Sequence, residues 1–157
     1  MKERVAVAMS GGVDSSVAAA LLLEAGYDVI GVTMEVYPPA PGRTTPAAEA
    51  QRVADHLGIP FYRFNLEEVF AKEVVAYFTG AYLQGLTPNP CVVCNRKIKF
   101  QALAEKARNL GAVYLATGHY VRKGYDPEFT RYTLSRGKDR KKDQSYVLFC
   151  LTQEQLA

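Results

Sequence analysis

No stretch of the 157 residues approaches the roughly 18–20 consecutive apolar residues that a membrane span requires. The apolar run Val5–Met9 is also too short for the core of a secretory signal, and glycines follow it at once. A cytoplasmic location is the resulting expectation. Cysteine is scarce and odd in number: Cys91, Cys94 and Cys150. That argues against a disulfide framework and for metal or thiol chemistry. Two nucleotide signatures are missing as well. No G-x-x-x-x-G-K-[ST] occurs, which excludes a Walker loop, and no G-x-G-x-x-G, which removes the dinucleotide fingerprint. Internal repeats are absent, and the only biased tract is the short proline-rich stretch Pro38-Pro39-Ala40-Pro41-Gly42.

What is present describes one globular domain over residues 1–157. The apolar share of 48% suffices for a core, and the charged share of 22% is ordinary. A net charge of +3 decides little, but its distribution is uneven. Six of the twelve residues from 131 to 142 are basic (Arg131, Arg136, Lys138, Arg140, Lys141, Lys142), with Asp139 the only acid. Arg96, Lys97 and Lys99 form a second group. Both read either as solvated loop side chains or as phosphate contacts.

Apolar runs alternate with helical periodicity. Strands are predicted at Arg4–Met9, Tyr27–Met34, Ile59–Phe64 and Val113–Thr117. Helices are predicted at Val13–Glu24, with Val17, Ala18, Leu21 and Leu22 on its apolar face, then at Pro46–Leu57, Leu66–Leu83 and Asn95–Asn109. The segment Gly85–Pro90 should be a non-helical loop. Tyr120–Arg122 and Tyr132–Ser135 are expected to pair as a hairpin across Gly124-Tyr125-Asp126-Pro127, and Thr152 to cap a last helix. Such alternation specifies an α/β fold, a doubly wound, mostly parallel sheet with helices on both faces.

In such a sheet ligands sit at the carboxyl ends of strands. The first strand delivers Ser10-Gly11-Gly12-Val13-Asp14-Ser15-Ser16 to that place. Its glycines allow close backbone approach, and helix-start amides with the Ser10, Ser15 and Ser16 hydroxyls make an anion cradle. Asp14 would repel phosphate unless a cation compensates it, which links it to Mg2+ carried by ATP. Further on, Asn89-Pro90-Cys91-Val92-Val93-Cys94 presents two thiols near a helix start. The helix dipole with Arg96 and Lys97 is expected to favour a thiolate. The same Cys-x-x-Cys also reads as a metal clip or a redox pair.

The loop resembles the S-G-G-x-D-S signature of the ATP pyrophosphatases, whose fold is the adenine nucleotide alpha-hydrolase-like sheet. With Asn89–Cys94, Ala116-Thr117-Gly118-His119-Tyr120 and Lys142-Asp143-Gln144-Ser145-Tyr146, in this order and spacing, the whole chain resembles the bacterial tRNA-specific 2-thiouridylases. That resemblance implies adenylation of the C2 oxygen of a wobble uridine in tRNA, then displacement of AMP by sulfur from a protein persulfide. It implies an ATP site at Ala8, Met9, Ser10, Gly11, Gly12, Val13, Asp14, Ser15, Met34 and Gly118, with Mg2+, and a nucleophile at Cys94. Asn89, Pro90 and Cys91 would meet the target base, and His119, Lys142, Asp143 and Gln144 would touch tRNA.

Two features depart from the family. Cys91 stands where the family usually has Asp, thought to assist proton transfer. Cys91 and Cys94 instead resemble the pair that, with one distant cysteine, holds an iron–sulfur cluster in another group of tRNA thiolases. The family's persulfide-bearing cysteine lies further downstream than Cys150, which is expected to pack as a small core residue. The chain is therefore expected to be truncated, lacking the later tRNA-binding part. It should bind ATP without thiolating tRNA alone, and need a persulfide donor or relay protein.

Overall fold

The computed structural model describes residues 2–38, 42 and 44–157. Pro39, Ala40 and Pro41 of the proline-rich stretch lie outside the described residues. Four strands form one sheet in the order β3-β2-β1-β4: β1 (Arg4–Ala8), β2 (Asp28–Glu35), β3 (Phe61–Asn65) and β4 (Tyr114–Thr117). All three pairings are parallel, with Ala6 opposite Ile30 on one side and Leu115 on the other. β1 is thus central, and the chain steps away from it through β2 and β3 before returning to its other side at β4. That reversal makes the carboxyl ends of β1 and β4 the topological switch point.

The central strands β1 and β2 are largely apolar and buried because both faces are covered, whereas β3 at the edge is more exposed and carries Arg63 and Asn65. On one face Ala6, Ile30 and Val32 pack with Leu66, Phe70, Val74, Ile98, Leu103 and Ala107. These come largely from two long helices, α3 (67–83) and α4 (90–109). On the other face Val7, Met9 and Val29 meet Ala19, Ala50 and Ala54 of α1 (Val13–Glu24) and α2 (Pro46–Leu57). α2 is bounded by a Thr45 cap, whose hydroxyl accepts from the Ala48 amide at 3.1 Å, and by Gly58.

α1 has the expected bounds but not the expected face. Ala18 and Leu22 lie against the core, whereas Val17 and Leu21 are exposed. The run Val17-Ala18-Ala19-Ala20-Leu21-Leu22-Leu23 is apolar all round, so periodicity cannot choose its buried side. Both α3 and α4 contain π-wound stretches, Ala71–Val75 and Cys94–Leu103. α4 also begins earlier than predicted, at Pro90 rather than Asn95. Proline suits a first helical position, whose N–H has no helix partner in any case, and Asn89 supplies the cap.

Beyond β4 the chain forms the antiparallel hairpin β5 (Val121–Asp126) and β6 (Arg131–Arg136). Its turn comes later than expected. Gly124 and Tyr125 remain in the ladder opposite Thr133 and Tyr132, and the reversal occurs over residues 127–130. There the Asp126 carboxylate accepts from the Glu128 amide at 3.0 Å and the Phe129 amide at 3.3 Å, an Asx turn. A 3-10 turn (Ser145–Val147) follows, then α5 (Gln153–Leu156) with the predicted Thr152 cap, completed by Gln155 into a capping box. Among the described residues no helix is long and apolar enough to cross a membrane.

Candidate active site

The phosphate-type loop stands at the switch point. Gly11 has φ +79°, and a Cβ there would lie 2.6 Å from Glu49 Cβ and 2.9 Å from Pro46 O, so the loop presses against the start of α2. Gly12 precedes α1 in an extended conformation and offers no side-chain cap. Among the described residues the first amides of α1 therefore have no side-chain cap, the condition in which a helix start can take an anion. The hydroxyls behave differently from expectation. Ser15 is buried and its Oγ donates to Gly12 O at 3.1 Å while accepting from Ser10 N at 3.2 Å. Ser16 Oγ also donates to Gly12 O, at 2.9 Å. Ser10 Oγ in turn accepts from Gly12 N at 3.4 Å, so all three hydroxyls brace the loop and the cradle is left to backbone amides.

Gly118, just past β4, closes on this loop. A Cβ on it would stand 2.7 Å from Ser15 N and 2.8 Å from the Asp14 carbonyl carbon. No larger residue fits without moving backbone. The next residues bind the neighbourhood together. Tyr120 donates its hydroxyl to Asp14 Oδ1 at 2.6 Å. Its backbone is held at two points by Gln144, through Tyr120 N to Gln144 Oε1 at 3.0 Å and Gln144 N to Tyr120 O at 2.9 Å. Lys142 Nζ lies 5.1 Å from the Tyr120 ring centroid. The loop, Gly118-His119-Tyr120 and Lys142–Gln144, far apart in sequence, share one place. Asp14 contributes a carboxylate oxygen at a helix start without a side-chain cap, a hard donor of the kind that suits a magnesium ion.

Asp143 turns back on its own segment: its carboxylate accepts from Gly137 N at 2.8 Å, from Ser145 Oγ at 2.8 Å and from Ser145 N at 3.3 Å. The Gly137 amide bond first, then the Ser145 hydroxyl, hold its pKa below the usual carboxylate value. It shapes the 137–145 segment. His119 is pushed down to about 4, chiefly by burial and secondly by the Lys99 ammonium, so the imidazole is neutral near pH 7. Thr117 Oγ1 lies 2.6 Å from Nδ1 and already accepts from the His119 amide. In that contact the hydroxyl donates to Nδ1 in one neutral tautomer and accepts from it in the other.

The cysteines sit at the start of α4. Asn89 Oδ1 accepts from Cys91 N at 3.2 Å and Val92 N at 3.4 Å, and Pro90 removes a further donor. This helix start is capped and closed. Cys91 is exposed and Cys94 half-buried. The expected low-pKa thiolate at Cys94 is not found: burial pushes the thiol above its ordinary value, and neighbouring Cys91 adds to the rise. Cys94 lies in the fifth helical position, past the first turn where the dipole acts, and the cap answers the amides nearest it. The cation that offsets the rise is Lys99, not Arg96 or Lys97. In a π-wound helix residues five apart stack, which brings Lys99 alongside Cys94, a partner that α-helical spacing would not select.

Tyr120, Lys99 and Thr117 were thus visible within motifs or clusters but not singled out by the sequence. Asn95 carried no signal: it is buried, donates to Val147 O at 3.1 Å, and ties α4 to the 145–147 turn. Met34, next to last in β2, packs half-buried against the α3–α4 side of the core. Cys150, expected in the core, is only half-buried, with Sγ 3.8 Å from Val92 O. Among the described residues no three His, Cys, Asp or Glu side chains gather as a metal-ligating set. Cys91, Cys94 and Cys150 therefore do not form a cluster cradle.

The family described as tRNA methyl transferase HUP domain matches residues 3–157. The tRNA-specific 2-thiouridylase MnmA of Moorella thermoacetica is 58% identical over 160 residues, covering 96% of this chain and 45% of that protein. The protein of that name from Desulforamulus reducens is 52% identical over 167 residues, covering 100% and 46%. This chain spans about half the length of the curated relatives it matches. A predicted subunit of tRNA methyltransferase from Methanocaldococcus jannaschii superposes with a TM-score of 0.54 at 22% identity, over 74% of this chain and 52% of that one, and shares its fold. Matched over nearly its whole length, the chain belongs to the tRNA methyl transferase HUP domain family.

Proposed function

We propose that this domain binds ATP at the β1–β4 switch point and adenylates the C2 oxygen of a tRNA wobble uridine, the activating half of a 2-thiouridylase reaction. The observation that carries the reading is the convergence of an uncapped helix start, Gly118 against it, and the Tyr120–Gln144 clasp at one sheet end. The names of relatives more than half identical support thiolation over the methyl transfer in the family's description. Methyl transfer also leaves the loop without a phosphate to hold.

The amides of α1 hold the phosphates and stabilise charge gathering on the departing pyrophosphate. Asp14 would hold the magnesium ion, which draws further negative charge from that leaving group. As the uridine oxygen attacks the α-phosphorus, the bond to pyrophosphate breaks and a C2–O–AMP linkage forms. The outer sulfur of a donor persulfide then displaces AMP at C2, and Cys94, as thiolate, attacks the donor's inner sulfur; the S–S bond breaks, 2-thiouridine is released and Cys94 is left in a disulfide with the donor. Cys94 begins protonated, so Lys99 has the task of holding it once it ionises. Neutral His119 offers an uncharged ring nitrogen to tRNA. Arg131, Arg136 and Lys138–Lys142 supply phosphate contacts, so binding to tRNA should weaken with salt.

The test is ATP–pyrophosphate exchange with and without tRNA carrying an unmodified wobble uridine. The reading expects exchange that depends on that tRNA. Exchange stimulated by a small amide or acid instead, or none with any tRNA that binds, would remove it.

A further inference from the structure

Asp14 is fixed from two directions. Its backbone is trapped by Gly118, where a Cβ would meet the Asp14 carbonyl carbon at 2.8 Å. Its side chain accepts the Tyr120 hydroxyl at 2.6 Å on Oδ1 alone. Tyr120 is itself not free to drift, since Gln144 grips its amide and its carbonyl and Lys142 lies over its ring. A phenol donating to one carboxylate oxygen leaves the other oxygen and the full negative charge for a cation. Carboxylates that hold metals are commonly oriented by such a second hydrogen bond.

We infer that Tyr120 is a positioning residue that sets the Asp14 carboxylate for the magnesium ion of the bound nucleotide, and that Gln144 sets Tyr120 in turn. The inference rests on the nucleotide reading of the loop. It extends that reading by making the 142–144 segment part of how the cation is held. A tRNA that grips Lys142 or Gln144 then acts on the same hydrogen bond that orients Asp14.

The experiment titrates ATP into the 157-residue chain by calorimetry, over a series of magnesium concentrations and in EDTA, for wild type, Tyr120→Phe, Asp14→Asn and the double variant. Tyr120→Phe keeps the ring and removes only the hydroxyl. The expected result is a rise of about 10- to 100-fold in the magnesium needed for half-maximal binding. Affinity in EDTA and the thermal midpoint should stay unchanged, and Tyr120→Phe should add nothing in the Asp14→Asn background. An unchanged magnesium requirement overturns the inference, as does a tighter one. Weakening by the same factor with and without magnesium also overturns it, because that is the signature of a structural role. Wild type that binds no ATP at any magnesium concentration takes down the nucleotide reading as well.

Discussion

Ser10–Ser16 and Asn89–Lys99 both lead into helices that carry candidate chemistry, yet their helix starts are finished in opposite ways. Gly12 leaves the α1 amides without a side-chain cap, while Asn89 accepts from two α4 amides and Pro90 lacks one altogether. An open helix start attracts an external anion, and a closed one has little left to offer it. The loop is therefore ready for a ligand in the free protein. The thiol half is not: Cys94 sits half-buried with its proton held on, and its counter-charge comes from a lysine one π turn away. One region is prepared by its backbone, and the other waits for a partner to complete its electrostatics.

Closing the open end should break the contrast most strongly. Gly12 has φ −81° and ψ 161°, suited to a capping residue, and a Cβ there meets only Ser10 Oγ at 3.4 Å. Gly12→Asp should fold with stability equal to or a few tenths of a kcal/mol above wild type, while its carboxylate takes the amides and repels phosphate. ATP binding should be lost, by at least about 100-fold on calorimetry. A variant that still binds ATP normally would mean the α1 amides are not the site.

A smaller effect is expected at the thiol. Lys99→Gln removes the cation that opposes the burial of Cys94. Iodoacetamide should modify Cys94 about twofold more slowly near neutral pH, with the rate profile moved to higher pH. Peptide mass spectrometry should also find exposed Cys91 labelled before Cys94 in wild type. Equal rates in both proteins would assign the charge control elsewhere.

The smallest effect concerns His119. Its folded pKa is about 4 against an ordinary 6.5, so between those values the unfolded chain binds a proton that the folded chain does not. Its contribution to stability is full above about pH 6.5 and is lost as pH falls toward 4. The thermal midpoint of His119→Gln should therefore drop less than that of wild type between about pH 7 and pH 4.

Much of this was legible from the chain. The strand run Arg4–Ala8 followed by Gly11 and Gly12, the Pro46–Leu57 bounds of α2, and the Thr152 cap are local chemistry, and each was placed within a residue or so. Contacts that depend on distant pairing were not legible. Tyr120 meets Asp14 across 106 positions, and nothing near either residue announces it. The inward turn of Ser15 depends on how the loop folds back on itself, which hydroxyl chemistry alone leaves open. The helix start at Pro90 could have been read from Asn89 before a proline. The π winding that pairs Cys94 with Lys99 could not, because an α-helical spacing was assumed. The exposed Val17 and Leu21 show the same limit: an evenly apolar helix gives no direction until its neighbours are known.

Amide hydrogen exchange with and without magnesium and ATP tests the central claim most directly, because the orphan amides of an uncapped helix start exchange quickly until something binds them. Nucleotide should slow exchange at Val13–Ser15 and at Gly118–Tyr120, with little change at Cys91–Cys94. Protection centred on the start of α4, or none at Val13–Ser15, would contradict the account.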